Sequence, residues 1–338
     1  MVVDLHEDIA NYFMMDGATF DVRPFHEDVR GRHADIPKYR KTGMRLVLGS
    51  IFPMVGGLNA RHMARLRHAY QAPSRAWSPS SSPGPAREIA IEQVKIYYSL
   101  EDLYPRDLKI VRTLQDIECL GTKTGILMHL EGCEALHEPE DLQVLFNLGV
   151  RSIGLTWNYD NKYASSCMSK KDYGLTGEGE DLVALANKLS VMLDLSHAGP
   201  KSCANVIDCS DRSPFFSHSN ALSQQKSRRN VSNELVKKLA KTNGIVGLTF
   251  IRSCIGPPYT PGRLADHARK LIALGGDGLP ALGTDFLGME SAPDGLEDLS
   301  KLGNLERALK NAGLSQRQID GIIHDNAMRL IRMHAEGW

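Results

Sequence analysis

The stretch VVDLHED at residues 2–8 is a short apolar run that ends in ionisable side chains. Four later stretches repeat this arrangement: GILMHLE (125–131), VMLDLSH (191–197), PFFSHS (214–219) and ALGTDF (281–286). Near their ends lie residues that can bind metal or move protons: His6, Asp8, Glu131, His197, His218 and Asp285. A (β/α)8 barrel builds its active site from the C-terminal ends of its strands, so these distant residues can converge. We therefore predict one shared pocket that binds two divalent metals.

The His-x-Asp spacing of the first stretch has a structural meaning. Strand side chains alternate faces, so His6 and Asp8 point the same way. The same alternation places His129 beside Glu131, which makes His129 a competing candidate. A single His or Glu is more often structural than functional, so the shared position of the set at strand ends carries the prediction.

Eight strand-like runs alternate with helical patterns along the chain. The runs are 2–6, 44–52, 124–130, 151–157, 190–196, 213–218, 244–251 and 280–286. The helical patterns are 88–103, 139–147, 180–189, 200–208, 231–242, 263–274 and 303–312, and a Ser315–Gln318 capping box precedes a final helix to about Met333. This order predicts an α/β fold, a (β/α)8 TIM barrel that forms a single domain over residues 1–338. A doubly wound open sheet is the alternative, disfavoured because no G-x-G-x-x-G follows the first strand.

One segment departs from this order. Residues 72–87 (APSRAWSPSSSPGPAR) are rich in Pro and Ser, and we expect no regular structure there. The segment follows the second strand, on the predicted active-site side of the barrel. It is either a surface loop or a flap over the pocket, with Trp77 as its apolar contact.

Composition excludes some partners. The chain has 40 Lys+Arg and 40 Asp+Glu, which argues against nucleic acid or an anionic membrane as the main partner. The local cluster Lys226-Ser227-Arg228-Arg229 is either a solvated loop or a functional site. The 6 Cys form no C-x-x-C pair, so we expect reduced, mostly buried thiols. No leader or spanning apolar run is visible, and we expect a soluble cytoplasmic protein.

The predicted ligand set suits hydrolysis. Two metals bridged by one carboxylate can hold a hydroxide, because coordination lowers the pKa of water from about 15.7 to near 7. Glu131 is the natural bridge as the only strand-end Glu, and His197 and His218 end consecutive strands as a pair for one metal. Asp285 can move a proton to a leaving amine. Arg229, in the loop after His218, can hold a substrate carboxylate in bidentate fashion.

At these residues the chain resembles the membrane (renal) dipeptidase family of zinc metallopeptidases. That family opens with a strand ending in Asp-Gly-His-Asn-Asp, where this chain reads Asp4-Leu5-His6-Glu7-Asp8. Further matches follow in order: Asp35-Ile36-Pro37, Glu131-Gly132, Leu193-Asp194-Leu195-Ser196-His197, Phe216-Ser217-His218-Ser219, Arg228-Arg229-Asn230-Val231, Asp285-Phe286 and Gly295-Leu296-Glu297-Asp298. The motifs together are highly specific, and they run from Asp4 to about Leu305.

The resemblance implies a (β/α)8 barrel with a binuclear zinc site that hydrolyses dipeptides. It implies two Zn2+ per chain, with His6 and Asp8 on one, His197 and His218 on the other, and Glu131 bridging. It further implies that Asp285 handles the catalytic proton and that Arg229 clamps the C-terminal carboxylate of the dipeptide. His129 has no role in that family and is expected to be structural.

Two departures from the family pattern concern the substrate. Where the animal enzymes read Leu-Thr-His after the fourth strand, this chain reads Leu155-Thr156-Trp157-Asn158. That His contacts the scissile region, so we expect Trp157 to contact substrate and to change the substrate range. The family Tyr after the seventh strand is replaced by Phe250-Ile251. The secretion signal and lipid-anchor segment of the animal enzymes are missing, so we expect no membrane partner.

Three functions compete at this stage. The first is a cytoplasmic, metal-dependent dipeptidase acting on small dipeptides, with a homodimer left open. The second is another barrel amidohydrolase acting on a cyclic amide, lactone or acylated amino acid. Arg229 favours the first, whereas Trp157 leaves the second open. A barrel used only for binding or scaffolding is disfavoured, because all five metal ligands and Asp285 are present.

Overall fold

The computed structural model describes residues 1–16, 23–53 and 83–338. Within them, short parallel strands alternate with helices. The strands are β1 (Val2–Glu7), β2 (Met44–Ile51), β3 (Leu108–Ile110), β4 (Thr124–Glu131), β5 (Val150–Gly154), β6 (Met192–Asp194), β7 (Val246–Leu248) and β8 (Pro280–Leu282). The helices are α1 (Ile9–Asp16), α2 (Ile36–Thr42), α3 (Pro83–Leu103), α4 (Leu114–Glu118), α5 (Asp141–Asn147), α6 (Gly177–Lys188), α7 (Pro200–Cys209), α8 (Asn233–Ala240), α9 (Arg252–Ile255), α10 (Pro261–Gly275), α11 (Gly303–Asn311), α12 (Gln316–Asp320) and α13 (Asn326–Ala335).

The strands form a ring. One parallel sheet runs in the order β1-β2-β4-β5-β6, β3 pairs with the start of β4, and β7 pairs with β8. Parallel bridges at Asp194–Phe215 and Phe216–Val246 connect β6 to β7, and a bridge at Glu7–Phe286 brings the end of β8 back to β1. The predicted α/β barrel is therefore confirmed, with residues 215–216 taking the place of a full strand between β6 and β7.

The alternation in β1 separates the core from the site. Val3 and Leu5 are fully buried in an apolar cluster with Leu46 and Leu330. His6, on the opposite face, is also fully buried but faces polar partners. Burying one such aliphatic side chain stabilises the fold by about 1.5–3 kcal/mol, which fixes which face of the strand turns inward.

The prediction that residues 72–87 have no regular structure is wrong for residues 83–87. Residues 83–87 belong to α3, which begins at Pro83. Proline is tolerated in the first turn of a helix, where the backbone N–H would have no intrahelical partner. Residues 72–82, including Trp77, lie outside the described residues.

Local signals in the sequence are otherwise reproduced. Ser315 and Gln318 form the predicted capping box, although the final helix is interrupted by a π-helical turn at Gly321–Asp325. Ser232 caps α8 by accepting a hydrogen bond from the N–H of Leu235. All six cysteines are free, as predicted, and four of them are buried. None of the helices that the structure describes is long and apolar enough to cross a membrane.

Candidate metal centre and catalytic cleft

Carboxylates surround the His6 imidazole at the C-terminal ends of the strands. His6 Nε2 lies 3.6 Å from Asp8 Oδ2, 3.6 Å from Glu131 Oε1 and 3.7 Å from Asp285 Oδ1. One potential ligand set joins His6, Asp8 and Asp285, and another joins His6, Glu131 and His218, with the ligand atoms of each set within 4.8 Å of one another. These side chains come from β1, β4 and the segments after β6 and β8, as a barrel site requires.

Glu131 lies between the two halves of the site. Its Oε1 is 3.0 Å from His197 Nε2 and 3.6 Å from His218 Nε2, in addition to its contact with His6. Ser50 Oγ donates a hydrogen bond of 3.3 Å to the other carboxylate oxygen. One oxygen of Glu131 therefore faces three imidazoles, which suits a carboxylate shared by two cations.

Hydrogen bonds to Nδ1 fix the orientation of two imidazoles. His197 Nδ1 donates to Asn158 Oδ1 at 2.8 Å, because an amide oxygen can only accept. His218 Nδ1 lies 2.7 Å from Ser217 Oγ, and this hydroxyl donates in turn to Asp194 Oδ2 at 2.5 Å. Both imidazoles are therefore left with an Nε2 lone pair, and these two atoms face each other at 2.9 Å. Two imidazole nitrogens with free lone pairs at this distance can coordinate the same metal cation.

The electrostatics of the site also suit cations. Burial raises the pKa of Glu131 to about 7, and burial together with Asp8 raises the pKa of Asp285 well above its usual range. Burial, with Arg229 and His6 nearby, lowers the pKa of His197 and His218 well below the ordinary value. Burial alone would lower the pKa of His6, but Glu131, Asp8 and Asp285 raise it to about 10.

Unpartnered polar atoms provide the test of fit for metal ions. Among the described residues, both ring nitrogens of His6 and Asp8 Oδ1 are buried without a hydrogen-bond partner. Buried polar groups are otherwise almost always paired. Imidazole nitrogens and carboxylate oxygens are the ligands that zinc prefers, and the residues present therefore fit divalent cations.

Two buried aspartates, Asp4 and Asp194, accept hydrogen bonds from residues at or next to the site. Asp4 is the first. Asp4 Oδ1 accepts the N–H groups of His6 (3.2 Å) and Thr284 (2.9 Å), and its Oδ2 accepts the Thr284 hydroxyl at 2.6 Å. We call this the Asp4 clasp. Because Thr284 precedes Asp285 and the bond to His6 lies within β1, the clasp fixes both site residues relative to each other.

The Asp194 clasp repeats this pattern on the other half of the site. Asp194 Oδ1 accepts the N–H groups of Ser196 (2.9 Å) and Ser217 (2.8 Å), and its Oδ2 accepts the Ser217 hydroxyl. Ser196 precedes His197, and Ser217 precedes His218. The Asp194 clasp therefore holds the residues immediately before His197 and His218, whereas the Asp4 clasp holds His6 itself and the residue before Asp285.

The backbone at two site residues adopts an uncommon conformation. His197 has φ 68° and Asp285 has φ 67°, in the left-handed region that residues other than glycine rarely occupy. Such strain persists where the surroundings hold it, and here the clasps hold the preceding residues. Gly288 shows a further constraint, because a Cβ at this position would overlap the Asp8 carboxylate.

A cleft of about 600 Å3 opens over these residues. Arg229 lines it, and its Nη2 donates a 3.4 Å hydrogen bond to the carbonyl of His218. Trp157 also lines the cleft, and the centroid of its ring lies 5.0 Å from that of Phe52 and 5.9 Å from that of His197. The family tyrosine after the seventh strand is replaced by Phe250-Ile251, but another tyrosine, Tyr259 from the loop after α9, lines the cleft.

The structure brings the eight sequence-predicted site residues together in and beneath this cleft: His6, Asp8, Glu131, Trp157, His197, His218, Arg229 and Asp285. His129 is held elsewhere in the barrel interior, with Nδ1 3.0 Å from Ser152 Oγ and Nε2 3.4 Å from Asp194 Oδ2. The sequence reasoning missed the supporting roles of Asp4, Asp194, Ser217 and Asn158. Strand alternation could have found Asp4, which lies two residues before His6, but nothing in the sequence marked Asn158, which follows its strand in a loop.

Comparison with known proteins decides the family. The model of the membrane dipeptidase family, peptidase family M19, matches residues 1–336. The chain belongs to this family. Among curated members, an uncharacterized dipeptidase of Schizosaccharomyces pombe is 29% identical over 271 residues, and dipeptidase tcpJ of Claviceps purpurea is 29% identical over 251 residues. The matches cover 76% and 71% of this chain but only 65% and 59% of those relatives.

Solved structures in the family share the fold. A metallopeptidase from Rhodobacter sphaeroides, liganded with a phosphinate mimic of the dipeptide L-Ala-D-Ala, has a TM-score of 0.84. It is 23% identical, and the superposition covers 100% of this chain and 99% of that one. That metallopeptidase and the present chain are therefore alike in fold along their whole length.

Proposed function

We propose that this protein is a zinc-dependent dipeptidase with two metal ions bridged by Glu131. The observation that carries the proposal is the position of Glu131 Oε1, within 3.6 Å of the Nε2 atoms of His6, His197 and His218. His6 and Asp8 would hold one ion, and His197 and His218 the other. Family membership supports a metallopeptidase, and the curated relatives are named dipeptidases.

The chain's own residues account for binding and proton transfer. Arg229 binds the C-terminal carboxylate of the dipeptide and so places the peptide bond over the buried ligands. Asp285 lines the cleft beside His6, and burial together with Asp8 raises its pKa, which suits a carboxylate that takes up and releases a proton. Its carboxylate takes the proton that the attacking water loses and passes it to the leaving amine. Bound divalent ions supply a water-derived nucleophile at neutral pH, because coordination lowers the pKa of water.

Zinc is the metal we propose, at two ions per chain. Its identity rests on family membership, because imidazole and carboxylate ligands also suit manganese and cobalt. The cytoplasmic location and the homodimer stay predictions from the sequence.

The contact between Arg229 and the substrate carboxylate, which we call the clamp, distinguishes a dipeptidase from another barrel amidohydrolase. Trp157 leaves the second function open, because its large apolar ring lines the cleft close to His197. The experiment compares kcat/KM for dipeptides and for their C-terminal amides, in the wild type and in Arg229→Ala. A charged hydrogen bond is worth about 1.5–3 kcal/mol, so wild type should prefer the acids roughly ten- to a hundred-fold.

In Arg229→Ala this preference should disappear, while the metal content stays unchanged. Arg228→Ala, at the exposed neighbouring arginine, is the matched control and should keep the preference. If the wild type cleaves amides as fast as acids, the clamp does not exist and the amidohydrolase function replaces the dipeptidase.

A further inference from the structure

A second cavity lies beside the catalytic cleft, and the function proposed above does not use its interior. It has a volume of about 840 Å3, and its lining includes His197 and Arg229, which also line the cleft. We call it the side cavity. Its lining residues come mainly from the segment after β6, from α7, from the segment around Phe216 and Ser219, and from α8 with the loop that precedes it.

The walls of the side cavity are largely apolar. Leu195, Phe216, Val231 and Leu235 are buried, and Leu222 is half-buried at the loop. Apolar walls of this extent suit a small molecule with a hydrocarbon or aromatic body, because ligand sites are mostly apolar with a few placed polar groups.

The charged side chains at the side cavity have one sign. Lys226, Arg228 and Arg229 line it, and no Asp or Glu is among its lining residues. Arg228 donates to the backbone carbonyls of Met168 and Ser169, so its charge is not matched by a carboxylate there. Within the described part of the chain, none of the three cations makes an ion pair.

A buried hydroxyl in the lining adds an independent observation. Ser219 is fully buried, and its Oγ has no hydrogen-bond partner among the described residues. A buried hydroxyl without a partner costs free energy, because burial removes it from water. A ligand oxygen would satisfy this group, and Ser219 follows His218, whose carbonyl accepts a hydrogen bond from Arg229.

We propose that the side cavity is a binding site for an apolar carboxylate, distinct from the catalytic cleft. The hydrocarbon body lies against Leu222 and Leu235, and the carboxylate lies among Lys226, Arg228 and Arg229. Since Arg229 faces both cavities, an occupant draws its guanidinium away from the substrate carboxylate and so inhibits hydrolysis. This inhibition rests on the proposed function, whereas the binding does not.

Binding is tested directly on the zinc-loaded full chain. The probe is 8-anilinonaphthalene-1-sulfonate, an aromatic anion whose fluorescence rises in apolar sites, and decanoate is the competitor. We expect saturable binding of one probe molecule that decanoate displaces and decanol does not. Leu222→Trp should fill the cavity and abolish binding, and Lys226→Glu should weaken it roughly ten-fold, as expected for one charge-assisted contact.

The controls separate this site from adventitious binding to the surface. Leu222→Ala also replaces the leucine but leaves the cavity open. It should retain binding, which would show that the loop folds without Leu222. Arg269→Glu reverses an exposed charge on α10 and should change nothing. Unchanged binding in Leu222→Trp, or equal losses in Lys226→Glu and Arg269→Glu, would overturn the proposal. The proposal would also be wrong if a second copy of this chain covered the side cavity. In that case a dimer would exclude the probe, and Leu222→Trp would dissociate this dimer.

Inhibition is then measured with a cleaved dipeptide. Decanoate should raise KM several-fold in the wild type and leave it unchanged in Leu222→Trp, with kcat little affected. Decanoate binding without any change in KM would contradict the role of Arg229 as the shared contact. If no dipeptide is hydrolysed at all, the proposed function fails, but the binding measurement still decides on the side cavity.

Discussion

Asp285 is a buried carboxyl group with a shifted pKa. Asp285 Oδ1 lies 3.7 Å from His6 Nε2, and burial together with Asp8 raises the pKa of Asp285 well above the ordinary carboxyl value. Its backbone adopts the left-handed conformation, with φ 67°. The same residue is therefore suited to proton transfer, but it also belongs to one of the candidate ligand sets.

Asp285→Asn distinguishes these two roles. If Asp285 carries the proton, the variant should keep both metals and lose activity about 10²–10⁴-fold, as general acid–base groups typically contribute. Glu290→Gln, an exposed carboxyl of the same cleft wall, is the matched control and should retain activity. Loss of metal from Asp285→Asn, seen by elemental analysis, would make Asp285 chiefly a ligand instead.

Trp157 gives the cleft an aromatic wall. Its ring packs against Phe52 and lies close to His197, so we expect a substrate side chain to meet an apolar surface there. Trp157→His should lower kcat/KM for dipeptides with apolar side chains relative to polar ones, whereas Trp157→Phe should keep the apolar preference. A panel of dipeptides measures the ratio, and an unchanged ratio in Trp157→His would mean that the ring does not contact substrate.

At the scale of elements, the two clasps connect neighbouring strands just below the ligands. The Asp194 clasp joins β6 to the segment at 215–218, and the Asp4 clasp joins β1 to the end of β8. These are the places where the ring closes through single bridges instead of longer strand pairs. The clasps therefore replace part of the missing backbone pairing and position the ligands at the same time.

Asp194→Asn should weaken zinc binding 10–100-fold, because partners of this kind orient ligating histidines. Chelator competition measures the affinity. Ser217→Ala removes the same link to His218 and should give a similar loss, whereas Ser217→Thr keeps the hydroxyl and should retain affinity. Wild-type affinity in both Asp194→Asn and Ser217→Ala would show that the clasp is only structural.

The Asp194 clasp also predicts a dependence of stability on pH. Burial alone would raise the pKa of Asp194, but the His129 imidazole beside it and the hydrogen bonds from Ser217 lower this pKa to about 2. A folded pKa below the unfolded value means stability that is present above about pH 4 and is lost as the pH falls through 2. The difference in unfolding free energy between metal-free wild type and Asp194→Asn should therefore shrink as the pH falls from 4 to 2. Denaturation by urea at each pH measures it, and a constant difference would contradict the ionised clasp.

For the whole molecule, the sequence predicted the barrel well because each strand is a compact apolar run. Closure through residues 215–216 by single bridges was not predictable, since bridges leave no periodic pattern. The helical start at Pro83 was missed because proline was read as a breaker, although it is acceptable in a first turn. The convergence of the candidate ligands was predictable because strand ends in a barrel meet at one end. Asn158, Tyr259 and the side cavity were not, because loop geometry determines them.

The central claim, two metals bridged by Glu131, is tested most directly by titrating zinc into chelator-stripped protein while dipeptide hydrolysis is followed. Activity should be absent from the stripped protein and should reach its plateau at two zinc equivalents per chain. Glu131→Gln should fail to reach this plateau, because it lacks the shared carboxylate. Full activity at one equivalent, or activity that survives complete removal of metal, would contradict the bridged pair.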